Sequence, residues 1–160
     1  MCYGWGMTLT SLLLAAILSL VASPGRPAPP VGSAEHTRLE TFAGHVAEAA
    51  SASAGPFTGG AAHEAAGLAL IAIAWKESSF RADVISCQKR GAIGEASAFQ
   101  IVGRMALGHD ADGRRYTVKD ICASVPLAAS RALSVLETHS KTCKMGGPLS
   151  WWQGYASGKC

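Results

Sequence analysis

Apolar residues recur along most of the chain at the spacing of a helix face. In the stretch 35–50 they fall at i, i+3, i+4 and i+7, which predicts a helix with one buried side. The stretch 61–75 is apolar nearly all round, and such a helix belongs at the centre of a domain. Pro126 suits the first turn of a third helix, running to about His139. We also expect short helices at 117–123 and from Ser150.

No stretch alternates between apolar and polar residues with a period of two, so no strand is predicted. The fold class expected is therefore all-α, as a single domain with glycine-rich loops.

The first 33 residues have a different composition from the rest. Residues 7–22 are apolar apart from small hydroxyl side chains, and at about 16 residues the run is shorter than the roughly 20 that span a bilayer. It fits the apolar region of an export signal, although no Lys or Arg precedes it. The alternative is an uncleaved membrane anchor. Four of the ten residues in the stretch 23–32 are prolines, which predicts an extended linker.

This pattern divides the chain into a leader at 1–23, a linker at 24–33 and a folded domain at 34–160. Cleavage is expected near Ala22 or near Ala34. The mature protein would be exported, to the periplasm or the medium, without stable membrane insertion. A monomer is the expected state.

Charge gives little information about partners. The net charge is +3, and 16% of residues are charged. A mild positive charge suits an anionic surface such as a bacterial wall. There is no Lys/Arg run and no basic stripe interleaved with aromatic residues, so nucleic-acid binding is not supported.

Removal of the leader would leave four cysteines, and an even number in a small exported domain predicts two disulfides. The helix expected between Cys122 and Cys143 would hold them some 20 Å or more apart, beyond the ~7 Å limit for Cα atoms. This distance excludes one of the three possible connectivities. Of the two that remain, we favour Cys87–Cys122 with Cys143–Cys160. No CxxC or HxxxH spacing occurs, so neither a metal nor a cofactor is predicted. A cysteine hydrolase built on Cys87 is a weaker hypothesis.

Glu77 is the candidate catalytic residue. A lone Glu near a helix end is usually a solvated side chain, but Glu77 follows the most apolar helix and lies between Trp75 and Phe80. Burial and the C-terminal end of the helix dipole both raise the pKa of a carboxyl group. A raised pKa is what a general acid near neutral pH needs.

Three motifs occur in order after the apolar helix: ESSF at Glu77–Phe80, GEASAFQI at Gly94–Ile101 and YASG at Tyr155–Gly158. Together they resemble the motifs of soluble-type lytic transglycosylases and goose-type lysozymes. Ala98 stands where that family usually has Gly, and Ser157 where Ala is common.

The resemblance implies a lysozyme-like fold and peptidoglycan as the substrate. Glu77 would act as acid and then as base, cleaving the β-1,4 bond between N-acetylmuramic acid and N-acetylglucosamine to leave 1,6-anhydro-muramic ends. The substrate-binding residues implied are Ser97, Phe99, Gln100 and Tyr155, with Gln100 lining the cleft, Phe99 supporting it from the core and Tyr155 close to Glu77.

Two other functions fit the same residues. A hydrolytic lysozyme of inverting mechanism would need a second carboxylate, and Asp83 and Glu95 are the candidates. A non-catalytic module could bind wall glycan through Trp151 and Trp152, which would stack on sugar rings.

Overall fold

The computed structural model describes residues 7–22, 25, 27–92, 94–102, 108–109, 111–143 and 147–157, except for the side chains of 147–150 and 157. These residues form helices and turns and contain no strand, only two isolated bridges. The predicted all-α class is confirmed. The helices are α1 (Leu9–Val21), α2 (Ala34–Ala52), α3 (Ala62–Ser78), α4 (Ala82–Ile85), α5 (Val118–Ala123), α6 (Val125–Thr142) and α7 (Gly147–Ser157).

Helix α3 is central, as its sequence predicts. It packs against α1, α2 and α6, and Leu70, Ile71 and Ile73 are buried there. The helix extends beyond Trp75 to Ser78. Glu77 therefore lies within its last turn, where the chain leaves the core.

The apolar N-terminal segment forms helix α1, which lies against α2 and α3. Leu13 and Ile17 are fully buried there. Leu13 fits over Gly67, where an added Cβ would stand 3.0 Å from both methyl carbons of the leucine. No helix among the described residues is long and apolar enough to cross a membrane. The export role of this segment stays a prediction.

Side-chain caps fix most of the helix starts. Ser33 and Ser124 accept hydrogen bonds from the first turns of α2 and α6. Thr117 and Asp120 form a reciprocal capping box at α5, which satisfies donors that a helix terminus leaves open. The expected start at Ser150 is wrong, because α7 already begins at Gly147.

One predicted disulfide is present. Cys87 and Cys122 are bonded, with their Cα atoms 5.6 Å apart, and the bond ties the segment after α4 to α5. Cys160 lies outside the described residues, so the pairing Cys143–Cys160 stays a prediction. The bonded state of Cys87 also rules out the cysteine-hydrolase hypothesis, which required a free thiolate.

Candidate active site

Glu77 is half-buried at the C-terminal end of α3. Desolvation is the main cause that raises the pKa of its carboxyl group, and the negative charge of Glu95 raises it further. The neighbouring Lys76 acts in the opposite direction. The net effect is a raised pKa, which extends to higher pH the range in which the carboxyl is protonated, the form that a general acid must hold at the start of its reaction.

The chain turns sharply directly after Glu77. Ser79 and Phe80 both have left-handed backbone conformations, with φ values of 50° and 53°. For residues other than glycine this conformation costs roughly 1–2 kcal/mol each. The surrounding contacts hold it in place: the Ser78 hydroxyl donates to the Ala74 carbonyl at 2.6 Å and accepts from the Phe80 amide at 3.2 Å.

Aromatic packing anchors the same turn in the core. The Phe80 ring is buried, with its centroid 5.8 Å from the Phe42 ring and 5.6 Å from the Trp75 ring. The turn that positions Glu77 is thus fixed at its backbone by Ser78 and at its side chain by Phe80.

The second motif folds into a tight turn between Ala96 and Ile101, whose backbones exchange hydrogen bonds of 3.1 and 2.9 Å. Ser97 and Gln100 within it have φ values of 67° and 48°. The Gln100 side-chain amide donates to the Ser97 carbonyl at 2.9 Å. This bond fixes the orientation of the amide group.

Two of the residues predicted to bind substrate are buried in this turn. Ser97 is buried; its hydroxyl accepts from the Phe99 amide at 3.3 Å, and its own amide donates to the Cys87 sulfur at 3.2 Å. Phe99 is fully buried and stacks on Phe42 with 6.1 Å between the ring centroids. In this arrangement both side chains support the turn, while Gln100 remains partly exposed.

Tyr155 on α7 reaches the same turn. Its hydroxyl donates to the Phe99 carbonyl at 2.7 Å. Burial of that hydroxyl, together with the nearby Glu77 carboxylate, raises the pKa of Tyr155 far above its usual range. The phenol is therefore neutral whenever Glu77 titrates. The structure thus brings together Glu77, Tyr155 and the turn that carries Gln100.

The two candidates for a second carboxylate lie in different surroundings. Asp83 is partly exposed and accepts two hydrogen bonds from Arg81, which lower its pKa. The Glu95 carboxylate lies over the backbone of Gly91, so close that a Cβ added to Gly91 would overlap the carboxylate. The same Cβ would stand 2.9 Å from the side-chain oxygen of Gln100. Glu95 therefore belongs to the same site as Gln100, and its charge acts on Glu77.

Sequence reasoning missed Arg38. This side chain crosses from α2 and donates from Nη2 to the Phe80 carbonyl at 2.8 Å. In the sequence it looks like an ordinary surface partner of Glu35, and no local signal points to the turn.

Trp151 is one of the two tryptophans expected to stack on sugar rings in a glycan-binding module. Its ring packs edge-on against Phe57, with 6.2 Å between the ring centroids.

Among the described residues, no group of three or more His, Cys, Asp or Glu side chains is placed to hold a metal ion. The polar groups that meet at the site are the Glu77 carboxyl, the neutral Tyr155 phenol, the Gln100 amide and the Glu95 carboxylate. Of these groups, the Glu77 carboxyl is the one placed to give and take a proton.

No protein-family model, curated protein or solved structure matches this chain.

Proposed function

We propose that this protein is a peptidoglycan lytic transglycosylase of lysozyme-like fold, with Glu77 as its catalytic residue. The observation that carries the proposal is the placement of Glu77. Its carboxyl group has a raised pKa at the end of the central helix, with the Tyr155 hydroxyl and the Gln100 turn beside it. The three sequence motifs that suggested the activity come together at this one place.

The reaction needs one carboxyl group. The protonated Glu77 gives its proton to the glycosidic oxygen as the bond from that oxygen to C1 of N-acetylmuramic acid breaks. The resulting carboxylate then takes the proton of the muramic 6-hydroxyl while that oxygen bonds to C1. Glu77 returns to its protonated form, and the product carries a 1,6-anhydro end without consuming water.

The other residues bind and position the substrate. Gln100 presents a fixed amide at the edge of the site, suited to hydrogen bonding with a sugar hydroxyl or an N-acetyl group. Tyr155 keeps a neutral phenol close to Glu77. Ser97 and Phe99 stabilise the turn by a hydrogen bond within it and by the stacking of Phe99 on Phe42, so their contribution to binding is indirect.

The test is mass spectrometry of the fragments that the purified protein releases from peptidoglycan. Anhydro-muramic ends support the proposal, and Glu77→Gln should abolish their release. Glu64→Gln is the matched control, because Glu64 is exposed in the first turn of the same helix. Continued release of anhydro fragments by the Glu77→Gln variant would refute the assignment of Glu77.

Hydrolysis is the second candidate function, and the position of Glu95 is the observation that favours it. An inverting glycosidase needs a carboxylate ~6.5–9.5 Å from its acid to activate water. Of the two candidate carboxylates, Glu95 raises the pKa of Glu77 by its negative charge, whereas Asp83 accepts a hydrogen bond from Arg81.

Digestion in water labelled with oxygen-18 separates the two reactions. A hydrolase places the label at the new reducing end, whereas a transglycosylase gives unlabelled anhydro ends. Release of no fragments from a folded protein would instead favour the module that binds wall glycan without cleaving it.

A further inference from the structure

The turn that follows Glu77 is held from outside its own helix. Ser79 and Phe80 are in left-handed conformations that side chains other than glycine adopt at a cost. Such backbone persists only where its surroundings determine it. Because Glu77 lies just two residues before Ser79, a change in this turn changes the last turn of α3 and the direction of the carboxyl group.

Arg38 supplies the contact from outside. Its Nη2 atom donates one hydrogen bond to the Phe80 carbonyl at 2.8 Å and another to Glu35 at 2.6 Å, while Nε donates to Glu35 at 2.9 Å. The two bonds to Glu35 fix the plane of the guanidinium group. The third bond then fixes the carbonyl at the centre of the turn.

The placement of Arg38 is not explained by stability alone. A partly exposed pair at i, i+3 adds little to the stability of a helix. The Nη1 atom is buried and has no hydrogen-bond partner among the described residues. A buried donor without a partner is uncommon in folded proteins and calls for a reason. The contact with Phe80, 42 residues away along the chain, provides one.

We infer that Arg38 is a positioning residue for Glu77: its guanidinium holds the Phe80 carbonyl, and through it the left-handed turn that aims the Glu77 carboxyl group at the substrate. The inference rests on the proposed function for its catalytic consequence. Arg38 itself contacts no reacting atom in this scheme. Its effect is on geometry, where misplacement by about 1 Å can reduce a rate on the order of 100-fold.

The decisive variant is Arg38→Lys in the full chain. Lysine keeps the positive charge but lacks the planar fork that binds Glu35 and Phe80 together. We expect kcat for release of wall fragments to fall about 10-fold or more, with KM changed less than about two-fold. Arg38→Met should show a larger loss. Glu40→Gln, at an exposed position of the same helix, is the matched control and should stay within about two-fold of wild type.

A second measurement needs no substrate. In the unliganded protein, Arg38→Lys should shift the NMR resonance of the Phe80 carbonyl carbon and move the Glu77 titration toward the ordinary range of a glutamate, because a looser turn exposes the carboxyl group. Unchanged resonance and titration in this variant would overturn the inference, as would equal losses of kcat in Arg38→Lys and Glu40→Gln. If the wild-type chain cleaves no glycan, the proposed function fails, and the two NMR measurements still decide the role of Arg38.

Discussion

The hydroxyl of Tyr155 donates a 2.7 Å hydrogen bond to the backbone carbonyl of Phe99, across 56 residues of sequence. The bond joins α7 to the turn that carries Gln100, and it does so beside the Glu77 carboxyl group, whose charge acts on the phenol. One side chain thus connects the third sequence motif with both of the others.

Replacing Tyr155 with Phe should weaken this connection. The Phe99 carbonyl would lose its donor, and the free energy of unfolding should fall by about 1 kcal/mol. Urea denaturation of wild type and variant measures the change. Tyr116→Phe, in the segment that precedes α5, is the control and should leave the unfolding midpoint nearly unchanged. Equal stability of wild type and the Tyr155 variant would show that the bond adds nothing.

The charge of Glu95 should appear in the pH dependence of activity. Its negative charge raises the pKa of Glu77, and activity requires the protonated form of Glu77. In Glu95→Gln, the fall in kcat/KM on the alkaline side should therefore occur at lower pH than in wild type.

Asp83→Asn is the control for this profile, because the charge of Asp83 is held by Arg81. Its profile should coincide with that of wild type.

The variants Glu95→Gln and Asp83→Asn also distinguish the two mechanisms. A transglycosylase without Glu95 keeps most of its rate at its own optimum pH, whereas an inverting hydrolase loses nearly all of it.

Glu77 should reduce the stability of the fold at neutral pH. Its pKa in the folded state lies above the ordinary value of 4.5, so the unfolded chain ionises first as the pH rises. Below about pH 4.5 both states are protonated and there is no penalty; stability is then lost as the pH rises through the folded-state pKa.

Glu77→Gln removes this titration. The difference in unfolding free energy between the variant and wild type should grow in favour of the variant from about pH 4.5 upward and become constant above the folded-state pKa. Denaturant unfolding at a series of pH values measures it. Glu64→Gln should give a difference that does not grow in this way, and a constant difference for the Glu77 variant would contradict the raised pKa.

The sequence predicts the main helices well, because an i, i+3, i+4 pattern of apolar residues directly reflects one buried face. The prediction for Glu77 depends on residues close to it in the chain, Trp75 and Phe80, whose rings also contact each other in space. The start of α7 at Gly147 was missed, because Ser150, a residue type that often caps a helix, indicated a later start.

Contacts between distant parts of the chain could not be predicted in the same way. The bond from Arg38 to Phe80 spans 42 residues and depends on how α2 packs beside α3. The placement of Glu95 over Gly91 depends on the turn at 96–101. Composition and periodicity describe which face of a helix is buried, but they contain no information on which side chain meets which carbonyl across the core.

The contact between Leu13 and Gly67 gives a test of whether α1 stays in place. Gly67→Ala in the full chain puts a Cβ 3.0 Å from both Leu13 methyl carbons, and such overpacking should lower the unfolding free energy by about 1–3 kcal/mol. In a chain that starts at Val31, and therefore lacks α1, the same substitution should raise it by up to about 1 kcal/mol, because alanine favours a helix over glycine.

Gly44→Ala is the control for this pair of chains. Gly44 lies in α2, and an added Cβ there would meet nothing within 4 Å, so the substitution should be stabilising in both. A Gly67 variant that gains stability in the full chain would show that Leu13 does not pack over Gly67 in solution.

The packing of α1 has a consequence for the order of events during biosynthesis. In the folded chain Leu13 and Ile17 are buried. An export apparatus that binds an apolar leader could not reach these side chains once the domain has folded. If the segment is the leader that its sequence predicts, translocation has to begin before α2 and α3 close over it. If the domain folded first, the leader would be buried in its core and the protein would not be exported.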